Sequence, residues 1–380
     1  MEISIMIKLK ASLSVIFVLF IVFMPVGASF SFGFGDITHT LIKVRNVEFG
    51  DNQTLYHPLI SRDIYDTNHH HIKHPLSISP YNSYTSSPAP TGIANYGLDN
   101  KTGSSYLLLT NTVIGYTDIH SVSAYCPQAT NSGVGTTYAT LQLNVVLMAN
   151  TSYGTYAYWL QDVGSFQTNT STITFIDNVW NLSGNPSCFA SSSISGSGQV
   201  SNSQGQCFYY DVGPSYTFST PFAYEYVINV SYNNVTGNIL VQMGYALLQN
   251  GSSTLNTGII YYDNITINQF NATGIAIAVD GNSYTPNALY YDAELVWGGG
   301  GNGATTNFNS LNSELGLYYL SSSGTLTPMQ TLYTFGSDTG ETAGNVNVTM
   351  VNGIPTAVNG QESLTFLTDS FNYIPGNLID

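Results

Sequence analysis

The sequence predicts an all-β fold, an antiparallel β-sandwich of jelly-roll type, as one sandwich or two packed side by side. Three observations carry this. Runs of alternating apolar and polar residues recur along the chain, as in Thr140-Leu141-Gln142-Leu143-Asn144-Val145. Clusters of Asn, Gly and Ser separate those runs at roughly regular intervals. No amphipathic stretch exceeds about three helical turns, and no strand-helix alternation calls for a parallel sheet.

The segments follow in order. Lys8 and Lys10 precede an apolar run over 11–24, and Val26-Gly27-Ala28 offers small residues for cleavage. Residues 1–28 therefore read as a secretory signal peptide, and the chain is expected outside the cell or at its surface, with no membrane contact after removal. Residues 29–75 hold four of the five later basic residues and six of the seven His, with His69, His70, His71 and His74 together before Pro75. We read them as a pro-segment and intramolecular inhibitor. Its Lys and Arg pair with carboxylates of the following domain at neutral pH and let go when acid protonates them. Residues 76–90, rich in Ser, Pro, Tyr and Asn, read as a linker. The β-sandwich is expected over 91–380, with further strands at 172–180, 224–232, 239–248 and 259–267.

Charge narrows the function. The net charge is −15 at pH 7, and beyond residue 75 Lys101 is the only Lys or Arg against 16 Asp and Glu. Nucleic-acid binding, which needs clustered basic residues, is excluded. At about pH 2, with carboxylates protonated, such a chain carries few positive charges and avoids the self-repulsion that unfolds most proteins in acid. Its polar surface is instead Ser, Thr, Asn, Gln and Tyr, whose hydrogen bonds do not titrate there. A disordered polar chain is ruled out by 28 Tyr, 18 Phe and 43% hydrophobic residues, enough for a packed core.

Export also frames the cysteines and sequons. Cys188 and Cys207 bracket a Ser/Gly-rich stretch that a disulfide would close, favouring the fold by about 3 kcal/mol. Cys126 is left over and expected to be buried and inert. Asn-x-Ser/Thr sequons stand at Asn100, Asn150, Asn169, Asn181, Asn229, Asn234, Asn250, Asn264, Asn271 and Asn347, which suggests an N-glycosylated exterior.

Beyond residue 75 only His120 and three scattered Cys could ligate zinc or serve a nucleophile, so no metal, cofactor or serine triad is expected. Carboxylates remain, and in acid they work as general acids and bases. In the run 156–164, a strand places Ala157, Trp159, Gln161 and Val163 on one face and Asp162 on the other. Gln161 beside Trp159 reads as a cleft floor or as a half-buried polar residue at a strand end. In the run 290–297, Asp292, Glu294 and Val296 share a face, and the glycines at 298–303 beyond them suit a flap or a plain turn. Asp338 lies in an Asp-Thr-Gly triplet, but the chain has no second such triplet to face it. Asp177, among aromatics and amides, reads as structural.

Taken in order, five segments resemble the thermopsin family of exported archaeal acid proteases. They are Ala89-Pro90-Thr91-Gly92-Ile93-Ala94-Asn95-Tyr96-Gly97-Leu98, Trp159-Leu160-Gln161-Asp162-Val163, Asp177-Asn178-Val179-Trp180-Asn181, Asp292 through Gly303, and Gly336-Ser337-Asp338-Thr339-Gly340-Glu341. The family tends to carry Asp where this chain has Asn95. The resemblance implies an endopeptidase of low pH and high temperature, acting on proteins or peptides near bulky apolar residues. Leu160-Gln161 and Ala293-Glu294-Leu295-Val296 are also similar to the surroundings of the Gln/Glu dyad of fungal glutamic peptidases. That likeness implies Glu294 as the proton-transferring residue and Gln161 as its partner. An aspartic pair drawn from Asp162, Asp292 and Asp338 is the competing mechanism. A glycosylated, non-catalytic adhesion or coat protein is the alternative function.

Overall fold

The computed structural model describes residues 45–46, 56–57, 91–99, 102, 104–126, 137–183, 189–201, 208–268, 272–282, 291–299, 305–330, 333–336 and 342–360. They contain no helix, and hence none long and apolar enough to cross a membrane. Two large sheets pack face to face as one sandwich, as the alternation predicts. The segments read above as signal peptide and linker, and nearly all of the one read as pro-segment, lie outside the described residues. Within 29–75 only two short paired strands, Arg45–Asn46 and Tyr56–His57, are described.

In the first sheet, Tyr209–Thr217, Thr172–Asn181, Gly154–Gln167, Tyr138–Thr151, Ala293–Gly298, Thr91–Asn95 and Tyr333–Phe335 lie side by side in that order. Ala272–Asp280 extends the far end of Tyr138–Thr151. The second sheet runs Val346–Val351, Ile354–Asn359, Thr305–Leu320, Thr112–Tyr125, Phe222–Tyr232, Ile239–Asn250 and Ile260–Ile267. Pairing is antiparallel except between Thr305–Leu320 and the short Thr342–Gly344 strand.

Sequence period two decides which side chains meet between the sheets. Leu141, Leu143, Val145 and Leu147 of one strand, and Ala293, Leu295 and Trp297 of another, all enter the shared core. Aromatic rings bridge the layers. Phe175 of the first sheet stacks on Tyr245 of the second at 4.1 Å, and Trp297 packs edge-on against Phe308 at 5.5 Å. Such ring pairs add roughly 0.5–1.5 kcal/mol each beyond the area they bury. Core phenols also find partners: Tyr224 and Tyr226 share a hydrogen bond of 2.7 Å, and the Tyr226 hydroxyl donates to the Leu141 carbonyl at 2.8 Å.

The complementary residues of the first sheet face outward. Gln142 and Asn144 alternate with Leu141, Leu143 and Val145, and Glu294 alternates with Ala293 and Leu295, so one strand period sets both the core and an outer polar row. That row is not a solvated surface. Glu294, Asn144 and Gln142 are at most 3% exposed.

Candidate active site

Ala293–Gly298 is a central strand, with Glu294 directly opposite Ala94 on one side and Asn144 on the other. Asn144 in turn pairs with Gln161, and Gln161 with Asn178. Residues directly opposite in a sheet project from the same face. Glu294, Asn144, Gln161 and Asn178 therefore form one row across four strands.

Hydrogen bonds run along this row in a single direction. The Trp180 indole N–H donates to Gln161 Oε1 at 3.3 Å, which turns Gln161 Nε2 towards its neighbours. That amide donates to Asn144 Oδ1 at 3.2 Å and to Gln142 Oε1 at 3.1 Å. Asn144 Nδ2 donates to Glu294 Oε2 at 3.4 Å. On the far side the Tyr96 hydroxyl reaches Glu294 Oε1 at 3.3 Å. The carboxylate thus sits at the receiving end of an oriented amide chain, whose fixed dipoles need little reorganisation when charge develops nearby. Gln161 and Glu294 stand two strands apart, about 9.6 Å between backbones, with the Asn144 side chain joining them.

The last strand of the sheet closes over this end. Tyr96 packs against Tyr333 at 4.5 Å between ring centres and against Phe335 at 6.4 Å. Gly336, the first residue of the Gly-Ser-Asp-Thr-Gly-Glu segment, touches the carboxylate: a Cβ built on it would lie 2.6 Å from Glu294 Oε2. Gly336→Ala should therefore displace Glu294 and lower kcat roughly tenfold to a hundredfold, while the thermal midpoint moves little. Kinetics and a melting curve on the same preparation check this. The Tyr96 hydroxyl also lies 3.2 Å from the Phe335 carbonyl, so Tyr96→Phe removes a shared bond to both and should cost about 1 kcal/mol of transition-state stabilisation, read as a several-fold fall in kcat/KM.

Of the other carboxylate candidates, Asp162 lies on the other side of the sheet. Asp162 projects from the opposite face of its strand into the space between the sheets, wholly buried, where the Tyr262 hydroxyl donates to its Oδ1 at 2.9 Å. Burial holds its carboxyl well above the usual range, opposed by the bonds from Tyr262 and the Gly244 amide. The sheet itself separates it from Glu294. Asp292 is wholly buried just before the Ala293–Gly298 strand. Asp338 and the glycine-rich run from residue 300 to 304 lie outside the described residues.

Asn144, Gln142, Tyr96, Trp180 and Gly336 escape the sequence reading as site residues. Gln142 and Asn144 occupy the polar positions of an alternating strand, the pattern of an ordinary solvated face. The available signal was the pairing of two amides with a strand as apolar as Leu141 to Leu147.

Cys188 and Cys207 lie outside the described residues, and Cys126 is buried. Among the sequons, Asn169, Asn234 and Asn264 are exposed, and Asn150, Asn229, Asn250 and Asn347 are partly buried. Asn181 is 1% exposed and accepts a hydrogen bond from the Ser183 amide at 3.1 Å, which argues against a glycan there. Asn100 and Asn271 lie outside the described residues.

Comparison with known proteins places this geometry in a family. The thermopsin family profile matches residues 76–346. The chain is also 53% identical over 324 residues to the thermopsin of Sulfolobus acidocaldarius, an alignment covering 83% of this chain and 94% of that protein. All five segments singled out in the sequence begin inside the matched region, and Glu294, Asn144, Gln161, Tyr96 and Gly336 all lie within it. The chain belongs to the thermopsin family, a family of peptidases.

Proposed function

We propose that this chain is an exported acid endopeptidase, made with a signal peptide over 1–28 and an inhibitory pro-segment over 29–75, that cleaves proteins near bulky apolar residues. The single observation that carries the mechanism is the outward row in which Gln161 and Asn144 aim amide donors along the sheet towards Glu294. Gln161, Asn144 and Glu294 are at most 7% exposed, so a substrate strand first displaces the groups that cover them and then sets its scissile carbonyl over Asn144, between Gln161 and Glu294. Glu294 takes a proton from water as the water oxygen attacks the carbonyl carbon, then passes that proton to the leaving nitrogen as the C–N bond breaks. Gln161 Nε2 donates to the oxyanion in place of its present amide partners, an interaction worth roughly 3 kcal/mol when preorganised.

Two features support the remainder of the reading. An aromatic patch of Trp159, Trp180, Leu182 and Tyr291 flanks the polar row on the same outer face and suits an apolar side chain beside the cleaved bond. Scarcity of Lys and Arg beyond residue 75 keeps the domain nearly uncharged in acid, where glutamate-based proton transfer is to operate. Purified chain, acid-treated to release the pro-segment, should digest denatured haemoglobin at about pH 4, where ordinary carboxylates are partly ionised and able to take a proton. Absence of cleavage by protein whose β-sheet circular dichroism is intact would sink the proposal in favour of an adhesion or coat role.

A further inference from the structure

A second group of carboxylates lies behind the site, on the opposite face of the same sheet. Asp162, Asp177 and Asp211 stand directly opposite one another on three neighbouring strands. Asp263 reaches the same place from the facing sheet. One oxygen each from Asp177, Asp211 and Asp263 lies within 4.8 Å of the others. Oxygens ligating one calcium ion at about 2.4 Å fall within about 4.8 Å of one another, so the spacing is that of ligands around a common centre.

Asp177 supplies the decisive observation. It is 0% exposed, and neither of its oxygens makes a hydrogen bond of good geometry, the Asp211 backbone being the weakest of the influences on it. Beside it Asp162, equally buried, has Oδ1 bonded to Tyr262 and Oδ2 without a donor. No Lys or Arg stands among the described residues of the two large sheets to compensate them. A buried carboxylate without donors requires a bound cation or a proton.

The walls are built to approach closely. The Ser197 amide donates to Asp263 Oδ1 at 2.7 Å, and Tyr209 donates to Asp263 Oδ2. A Cβ on Gly196 would fall 2.2 Å from the Tyr209 hydroxyl oxygen, and one on Gly198 would fall 2.8 Å from Asp211 Cβ. Asp211 is only partly buried and gives a route in from solvent.

We propose that Asp177, Asp211 and Asp263 form a binding site for a hard divalent cation, calcium in particular, that ties the two sheets together. The donor set is all oxygen, which suits calcium or magnesium rather than zinc. Calcium fits better, because it accepts many carboxylate oxygens in irregular geometry whereas magnesium holds to a tight octahedron with several waters. No metal ligand is legible in the sequence, since Asp177 and Asp211 meet only by strand pairing and Asp263 joins them only across the sandwich.

The experiment uses the whole mature protein, stripped with chelator, at about pH 8, far above the ordinary carboxylate range, where a cation displaces protons from the buried carboxylates most readily. Added calcium should raise the thermal midpoint by several degrees. Terbium should bind and luminesce through excitation of Tyr209 and Tyr262, and calcium should displace it. Asp177→Asn and Asp211→Asn should each abolish the calcium-dependent shift without lowering peptidase activity in acid. If Asp177→Asn does not fold, Asp211→Asn, at a partly exposed position, decides. An unchanged midpoint in the wild type, or an undiminished shift in a folded variant, overturns the site. An equal shift with magnesium overturns the choice of calcium.

Discussion

Glu294→Gln should leave the protein folded and reduce kcat by roughly a thousandfold, the size of effect expected when a residue that both takes and returns a proton is removed. The substitution changes one atom and keeps the neighbours. Asn144 Nδ2, now 3.4 Å from Oε2, can donate to the new amide oxygen, while the Tyr96 hydroxyl, now 3.3 Å from Oε1, can accept from the new amide nitrogen. A melting curve matching the wild type, together with a collapsed rate on haemoglobin in acid, is the expected result. Full activity in a folded Glu294→Gln protein would refute the Glu294 mechanism and leave the family's peptidase chemistry to carboxylates such as Asp292 or Asp338. Gln161→Leu provides an internal comparison: it should cost less, on the order of a hundredfold, because it removes an oxyanion donor and not the proton carrier.

The second large effect is on stability against pH. Asp162 is wholly buried and its carboxyl is held well above the ordinary range, chiefly by desolvation. Asp177 is displaced in the same direction by burial and by the charges of Asp263, Asp162 and Asp211. The folded state therefore binds these protons more tightly than the unfolded chain does. For such groups the stabilisation is complete below the unfolded value, about 3.9 for Asp, and is lost as pH rises towards the folded value. Each unit of displacement is worth about 1.4 kcal/mol per carboxyl. In chelator, the mature domain should thus melt highest at acid pH and progressively lower towards neutrality. Asp162→Asn, which stays uncharged throughout and keeps an acceptor for Tyr262, should flatten that slope. A wild-type melting temperature that rises from acid to neutral pH would contradict the assignment.

The two predictions concern opposite faces of one strand. Gln161 and Asp162 are adjacent in sequence, yet one contributes to the outer row and the other to the seam between sheets. Period two is local and readable, so the sequence separated these two side chains correctly. It also picked out Glu294 and placed Gln161 with it through likeness to another peptidase family. Asn144, which joins them, was passed over, because nothing local distinguishes an amide on a buried outer face from one on a solvated face. Gly336 was passed over too, since its segment drew attention for Asp338 and its own role is to leave room for Glu294.

By itself the sequence determined the class of fold, the strand alternation, the charge-poor composition and the membership of the thermopsin family. Each of these resides in composition, in neighbouring residues or in short segments. Only the tertiary structure decided that Tyr96, Asn144, Gln161, Glu294 and Gly336, from five separate segments, share one outward site. It alone decided that Asp177 and Asp211 meet Asp263 across the sandwich. The physical reason is that strand order and register are fixed by pairing between distant segments, through the summed fit of a core drawn from both sheets, and no local pattern encodes that sum.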